Sequence, residues 1–218
     1  MASAEDPLGS VGGVEVRLAV LASGSGTILE ALLADRLPVT VVVADRPCRA
    51  IEVARQAGVD AVVVDRLAWG GFGAAFDRRG FTEAVADVLT TRSVDLVAMA
   101  GFGTVLDKPV HDAFPGRILN THPSLLPAFP GWHGVEDALA AGARVTGCTV
   151  HVATLEVDAG PILAQAEVPV RDGDTAGTLH ERIKTVERRL YPETIRRACA
   201  ELASTGSLEG LTIQVARA

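Results

Sequence analysis

The sequence lacks the features that mark secreted, membrane-spanning and metal-binding proteins. Only three cysteines occur in 218 residues, and they form no Cys-x-x-Cys or Cys-His metal spacing. We interpret them as the reduced thiols of a cytoplasmic protein. No apolar run approaches the roughly 20 residues of a membrane span. The five histidines show no HxxxH or HExxH spacing, so the sequence predicts no metal site.

Positive charge is also scarce. The formal net charge of −7 argues against a nucleic-acid-binding surface, because phosphate contacts need clustered lysines and arginines. Residues 1–14 have no apolar core and do not resemble a signal peptide, so we interpret them as a disordered leader. A Gly-x-Ser-x-Gly nucleophile elbow is missing as well. Neither a membrane nor a nucleic acid is therefore an expected partner, and the oligomeric state stays open.

What the sequence does have is an alternation of short apolar runs with helical segments. The apolar runs are typical of strands that are buried on both faces. This alternation predicts an α/β fold with a doubly wound, mostly parallel twisted sheet, flanking helices and a Rossmann-like amino-terminal half. Strands are predicted at residues 16–22, 39–44, 61–64, 96–100, 117–121, 146–152, 161–170 and 211–215. Asp174 and Thr175 can cap a long helix, which is expected to end or kink at Pro192.

A glycine-rich turn follows the first predicted strand. It reads SGSGT at residues 23–27 and leads into leucines at helical spacing. A strand, such a turn and a helix N-terminus together present backbone N–H groups to an anion. A dinucleotide fingerprint would need a glycine where Leu29 stands, and a Walker loop would need a lysine. The turn therefore favours a small monophosphate cradle, and a glycine turn without function is the alternative.

A second group of polar residues follows the strand predicted at residues 117–121. Alternation along this strand places Asn120 and His122 on one face, where the strand ends. Three prolines within the next eight residues exclude a helix there and indicate a rigid loop. The strand at residues 146–152 then leads to a turn whose Asp158 carboxylate could reach the imidazole of His122. Each residue alone could be structural, but together they are typical of a catalytic site.

Three stretches of the chain resemble phosphoribosylglycinamide formyltransferases, a folate-dependent family of purine synthesis. They are AGFGTVL at residues 100–106, LNTHPSLLPAFPG at 119–131 and VDAGPILAQAEVPV at 157–170, within a similarity that spans residues 16–197. The resemblance implies formyl transfer from 10-formyltetrahydrofolate to the amine of glycinamide ribonucleotide, with no metal. It also implies that Asn120, His122 and Asp158 are the catalytic residues and that the Leu126–Pro127 bond is cis.

The resemblance implies substrate contacts on both sides of the catalytic residues. For the phosphate and ribose of the ribonucleotide they are Gly24, Ser25, Gly26, Thr27, Ile28 and Glu187. For the folate they are Arg79, Gly103, Thr104, Val105, Leu106 and Asn120. Residues 15–218 would then form a single domain, with a phosphate-binding half at 15–115 and a catalytic and folate-binding half at 116–218.

Three residues, at two places in the chain, depart from the usual pattern of the family. Ile28 stands where the family often has asparagine, and Gly103-Thr104 stand where it usually has Met-Arg. We therefore expect folate contacts at residues 103 and 104 to come mostly from the backbone. The alternative function is that of another folate-dependent formyltransferase, acting on an aminosugar, or of a formyltetrahydrofolate hydrolase. A non-catalytic nucleotide-binding module is a third hypothesis, and it leaves the three catalytic candidates unexplained.

Overall fold

The apolar runs of the sequence form the strands of one seven-stranded sheet. The computed structural model describes residues 15–212. In chain order the strands are β1 (Leu18–Ala22), β2 (Val39–Ala44), β3 (Asp60–Val63), β4 (Leu96–Met99), β5 (Ile118–His122), β6 (Val145–Val152) and β7 (Ile162–Pro169). Strands β1 to β5 pair in parallel, whereas β6 pairs antiparallel with both β5 and β7, in the spatial order β3-β2-β1-β4-β5-β6-β7. The predicted α/β fold with a mostly parallel sheet is confirmed.

Helices connect and cover these strands. They are α1 (Thr27–Ala34), α2 (Arg49–Gln56), α3 (Arg78–Thr91), α4 (Lys108–Ala113), α5 (Gly134–Ala140) and α6 (Ala176–Thr205). The sequence did not predict α4 and α5, which have six and seven residues. A helix of no more than about two turns shows too little periodicity to be recognised.

The sheet has an apolar core on each face, and β1 contributes to both. Leu18 and Val20 pack in a cluster with α1, α2, α5 and α6. Ala19 and Leu21 pack in a cluster with α3 and α4. All five residues of β1 are buried, which explains its continuous apolar sequence. Strands buried in this way leave only their ends for polar side chains, so functional residues are expected where the strands end.

A crevice opens where the connections of the parallel strands change direction. The chain moves outward from β1 to β2 and β3, then crosses back to β4 on the other side of β1. The loops that follow β1 and β4 therefore leave the sheet in opposite directions, and ligands of such sheets bind between them. The glycine-rich turn is the segment that directly follows β1.

Helix α6 does not end at Pro192. It spans 30 residues, contains Pro192 in its interior, and begins at the predicted cap Thr175, whose side chain accepts a backbone N–H bond. Proline removes one backbone donor, but fully buried side chains on either side hold the helix on the sheet. Tyr191 and Ile195 are such residues, and the Tyr191 hydroxyl donates to a backbone carbonyl of β5 (2.8 Å).

Two predictions concern the ends of the chain. The leader predicted at residues 1–14 lies outside the described residues. The last strand was predicted at residues 211–215; Leu211 and Thr212 belong to no strand, and residues 213–215 lie outside the described part. Between residues 15 and 212, no helix combines the length and the apolar character needed to cross a bilayer.

Candidate active site

A cavity of about 460 Å³ opens at the carboxyl ends of β1, β4 and β5. Its wall consists of the turn after β1, the loop after β4, the end of β5, the loop between β6 and β7, and one face of α6. This edge of an open α/β sheet is the usual place for an active site. The predicted site residues that line it are Gly24, Ser25, Gly26, Thr27, Ile28, Gly103, Thr104, Val105, Leu106, Asn120, His122, Asp158 and Glu187.

Asn120, His122 and Asp158 come together at this cavity. Asn120 and His122 lie two residues apart on β5, and Asp158 comes from the loop after β6. His122 Nδ1 lies 3.3 Å from Asp158 Oδ2, and each side chain is only 6% exposed. Asp158 has a left-handed φ of 57°, a conformation that Asp adopts more readily than most residues. The turn thus directs a carboxylate into the same group as the imidazole.

Both ring nitrogens of His122 face hydrogen-bond acceptors. Nε2 donates to the carbonyl oxygen of Phe129 (2.8 Å), and Nδ1 faces the carboxylate of Asp158. A neutral imidazole has only one N–H and can satisfy only one of these acceptors. The imidazolium satisfies both, and a neighbouring anion favours that charged form. The arrangement therefore suits a cationic His122.

The carboxylate of Asp158 has contacts on both of its oxygens. Oδ2 accepts from the backbone N–H of Gly131 (2.8 Å), and Oδ1 lies 3.4 Å from His151 Nε2. Burial raises the pKa of Asp158, but the bonds from His151 and Gly131 and the charge of His122 together outweigh it. The pKa of Asp158 therefore lies below its usual value, and the carboxylate is ionised at neutral pH.

His151 is a fourth member of this group, and its own position in the sequence did not single it out. It lies opposite Asn120 in the antiparallel pairing of β5 and β6, and its Nε2 is 3.2 Å from Asn120 Nδ2. Its Nδ1 donates to the carbonyl of Val152 (3.0 Å). Only the pairing of β5 with β6 brings the two residues together. No signal in the local sequence around His151 could have shown this.

The loop after β5 is held against β6. The backbone N–H of Leu126 donates to the hydroxyl of Thr149 in β6 (3.0 Å). The Leu126–Pro127 bond is cis, as predicted. This loop carries the Phe129 carbonyl that contacts His122 and the Gly131 N–H that contacts Asp158. Its attachment to β6 therefore helps to position both side chains.

The glycine-rich turn brings its backbone to the same cavity. Gly26 is the N-cap of α1 with a left-handed φ of 73°, and a Cβ there would lie 2.9 Å from the Cα of Ala50. Gly24 has no such constraint, because a Cβ there would meet nothing within 4 Å. The first turn of α1 has backbone N–H groups without partners inside the helix. The turn can therefore hold an anion such as a phosphate.

Helix α6 lines the cavity with His180, Lys184 and Glu187. The spacing of four and three residues places them on one face of the helix. The sequence pointed to Glu187 but not to a role for His180 or Lys184, although this spacing was the available signal. Burial raises the pKa of Glu187 and outweighs the nearby charges of Lys184 and Arg188.

Thr104 uses its side chain within the protein. It is buried, its hydroxyl donates to Asp45 Oδ2 (2.8 Å) and it accepts from Arg66 Nη1 (3.0 Å). The side chain of Thr104 is thus occupied within the protein, so the contact that residue 104 can offer a ligand in the cavity comes from its backbone.

Arg79 does not belong to the cavity, in contrast to its assignment from the resemblance. It lies in the first turn of α3, where its exposed guanidinium pairs with Glu83 (Nε–Oε1 3.0 Å). The two residues are four positions apart on an exposed helix face, where such pairs commonly form. Between residues 15 and 212, no group of three or more His, Cys, Asp or Glu side chains is arranged to hold a metal ion.

The fold and the site are those of a formyl transferase. The family model described as "Formyl transferase" matches residues 16–195, and the chain belongs to this family. Its relatives include a phosphoribosylglycinamide formyltransferase of Mycobacterium tuberculosis, which is 46% identical over 207 residues that cover 93% of this chain and 92% of the relative. The enzyme of the same name from Bacillus subtilis is 33% identical, with 83% of this chain and 93% of the relative covered.

A solved structure shows the same similarity in three dimensions. Glycinamide ribonucleotide transformylase 1 from Symbiobacterium toebii superposes with a TM-score of 0.80 and is 47% identical. The superposition covers 85% of this chain and 88% of that one. The match therefore extends over nearly the whole sheet and its helices, and not over one half alone.

Proposed function

We propose that this chain transfers the formyl group of 10-formyltetrahydrofolate to the amine of glycinamide ribonucleotide, a step of de novo purine biosynthesis. The names of its relatives support this assignment. The observation that carries it is the contact of Asp158 with both His122 and His151 beside Asn120, in a cavity that also contains an anion-binding turn. Folate is the co-substrate.

Formyl transfer needs three contributions from the protein. The amine attacks the formyl carbonyl, and a tetrahedral intermediate with a negative oxygen forms. The site must stabilise this oxyanion, accept a proton from the attacking amine, and protonate N10, the leaving nitrogen of the folate; the proton that the amine loses balances the one that N10 gains, so the protein has no net change. The amine is itself the nucleophile, so neither a serine nor a cysteine is needed.

His122 is the group that we assign to the oxyanion. As an imidazolium it has an N–H on each ring nitrogen, and Asp158 holds the one on Nδ1. The Nε2–H donates to Phe129, so the imidazolium stabilises the oxyanion by its positive charge beside the amide of Asn120.

Asp158 acts mainly by keeping His122 charged. Its depressed pKa makes the carboxylate a strong partner for a cation and a poor base. Asn120 supplies the hydrogen-bond donor: its amide, 3.2 Å from His151 Nε2, reaches the carbonyl of the formyl group.

The substrates bind at different parts of the one cavity. The phosphate of glycinamide ribonucleotide lies at residues 24–28 with Lys184 nearby, and Glu187 accepts from its ribose hydroxyls. The folate lies along residues 103–106. Segments from both sides of residue 116 line the cavity, which supports a single domain whose halves act together.

We place the protein in the cytoplasm, because Cys48, Cys148 and Cys199 are all free thiols.

The test is a spectroscopic assay of folate deformylation with several acceptors. Glycinamide ribonucleotide should give one formylated product for each tetrahydrofolate released, and an aminosugar should give almost none. Release of formate without any acceptor would identify a hydrolase instead. Preference for the aminosugar would identify a formyltransferase of another kind.

His122→Ala is the matching variant. We expect turnover to fall by about a hundredfold or more, because the cation that stabilises the oxyanion is lost. Circular dichroism and the thermal midpoint should show that the variant is folded. Near-normal turnover of the folded variant would remove His122 from the mechanism.

A further inference from the structure

Trp132 combines high exposure with a place in the active-site cavity. Its side chain is 70% exposed, the largest value among the large apolar side chains of residues 15–212. It nevertheless lines the cavity, together with the exposed Val157 that precedes Asp158. Apolar surface left in water beside a cavity is typical of a surface that a ligand covers.

The backbone next to Trp132 is attached to the catalytic residues. The Phe129 carbonyl accepts from His122 Nε2, and the Gly131 N–H donates to Asp158 Oδ2, each at 2.8 Å. Gly131 has a left-handed φ of 87°, and Trp132 follows it directly. The Cα of Trp132 is therefore about 3.8 Å from the Cα of a residue that contacts the catalytic carboxylate. Its backbone position is fixed by the groups that carry out the reaction.

The two substrates differ in what they can place beside an indole. Glycinamide ribonucleotide consists of a phosphate, a ribose and a glycinamide, and it has no aromatic ring. In 10-formyltetrahydrofolate, the nitrogen that carries the formyl group is bonded directly to the benzoyl ring. When the formyl carbon lies at Asn120 and His122, this ring must lie next to the catalytic residues, which is where Trp132 begins.

We propose that Trp132 stacks on the benzoyl ring of the folate and thereby positions N10 at His122. The proposal rests on the proposed function, because it takes the folate as the co-substrate. Offset or edge-to-face contact of two aromatic rings stabilises their pairing beyond the apolar area that they bury. Trp132 does not touch the reacting atoms, so it is a positioning residue whose loss affects folate binding more than the chemical step.

Fluorescence tests the contact without any need for turnover. Trp69, the other tryptophan, packs edge-on against Phe81, and Trp69→Phe leaves Trp132 as the single indole. Tetrahydrofolate should change the emission of this variant with a saturable dependence, whereas glycinamide ribonucleotide alone should not. Trp132→Phe, which keeps Trp69, corrects for light absorbed by the folate. A saturable change with the ribonucleotide and none with the folate would overturn the proposal.

Kinetics test the positioning role. Trp132→Ala should raise KM for the folate about tenfold, from the loss of one aromatic contact and its buried area, with KM for the ribonucleotide within about twofold. Trp132→Phe should restore most of the loss. Leu67→Ala is the matched control, because Leu67 is 68% exposed and does not line the cavity. An unchanged folate KM in Trp132→Ala, or an equal rise for both substrates, would refute the role.

The two measurements also separate this proposal from the proposed function. The thermal midpoint of Trp132→Ala should match that of the wild type, since the side chain is exposed. If the wild-type protein transferred no formyl group, the proposed function would fail. The fluorescence titration would still decide whether Trp132 binds a folate.

Discussion

At the scale of single residues, Asp158 joins parts of the site that separate segments supply. It lies within 3.4 Å of imidazoles from β5 and β6 and accepts a backbone bond from the loop after β5. A carboxylate with a depressed pKa in this position fixes the orientation of both rings. One carboxylate thus links β5, β6 and the loop after β5 within the site.

Asp158→Asn keeps the size of the side chain and removes that charge. We expect turnover to fall by about a hundredfold or more, because the imidazolium loses its counter-ion. Steady-state kinetics of the folded variant measure this effect. Near-normal turnover would mean that Asp158 only shapes its turn.

The pKa of Glu187 is shifted upward, in the opposite direction from that of Asp158. Burial raises its pKa, so the folded protein keeps a proton that the unfolded chain releases above about pH 4.3. Above the raised pKa, the ionised carboxylate lowers the stability of the fold. Below the pKa of the unfolded chain, both states are protonated and Glu187 has no effect on stability.

Glu187→Gln should therefore raise the thermal midpoint at alkaline pH and leave it unchanged in acid. The same variant should raise KM for glycinamide ribonucleotide, because it loses an acceptor for the ribose hydroxyls. Calorimetry at two pH values and steady-state kinetics measure these effects. An equal midpoint of variant and wild type at alkaline pH would contradict the stability argument.

At the scale of elements, the sequence predicted the strands better than the helices. Strands β1, β2 and β4 are recognisable because burial on both faces excludes polar residues from them. The short helices α4 and α5 have too few turns to show a period. The long helix α6 continues through Pro192 because tertiary packing outweighs a local rule.

Some residues of the candidate site could be predicted from the sequence and others could not. Asn120 and His122 follow from strand alternation, and the glycine-rich turn follows from its position after β1. Asp158 followed from its turn after β6, and the resemblance supported it. His151 could not be found from its neighbours, because the register of an antiparallel pair is set across the sheet. Arg79 does not line the cavity, since its exposed side chain pairs with Glu83 on α3, and its contact with the folate stays a prediction.

Substitutions of the two glycines in the turn after β1 should have different effects, because Gly26 is needed for the fold and Gly24 is not. Gly26→Ala should lower the thermal midpoint, since it combines a positive φ with a Cβ only 2.9 Å from a backbone atom. Gly24→Ala should leave the midpoint unchanged, because its Cβ has room. It should nevertheless raise KM for glycinamide ribonucleotide about tenfold, which corresponds to ~1.4 kcal/mol of lost binding. An equal rise in the folate KM would show that the turn does not bind the phosphate.

At the scale of the whole molecule, a second buried carboxylate, that of Asp45, links the loops at the carboxyl ends of β2 and β4. Asp45 follows β2 and is fully buried, and it accepts from Arg46 (2.9 Å) and from Thr104 in the loop after β4 (2.8 Å). Burial raises the pKa of Asp45, but these hydrogen bonds outweigh it, so the pKa lies below its usual value. The ionised form thus connects loops that lie on either side of β1.

The contribution of Asp45 to stability has a defined pH window. It is complete above the pKa of about 3.9 in the unfolded chain and is lost as the pH falls through the lower pKa of the folded state. Asp45→Asn should lower the free energy of unfolding at neutral pH, and the difference from the wild type should shrink in strong acid. Urea unfolding at several pH values measures this. A constant difference at all pH values would show that the charge is irrelevant.

The position of the catalytic side chains along the chain has a consequence for how such an enzyme can change. Asn120, His122, His151 and Asp158 all lie within residues 120–158, on two adjacent strands and their loops. The phosphate turn lies almost a hundred residues earlier and reaches the cavity only through the sheet. Under the proposed function, the side chains assigned to the reaction therefore come from one continuous stretch, whereas the contacts assigned to the acceptor come from both sides of it, at residues 24–28 and at Glu187. A change of acceptor then needs changes on both sides of a stretch that can itself stay the same.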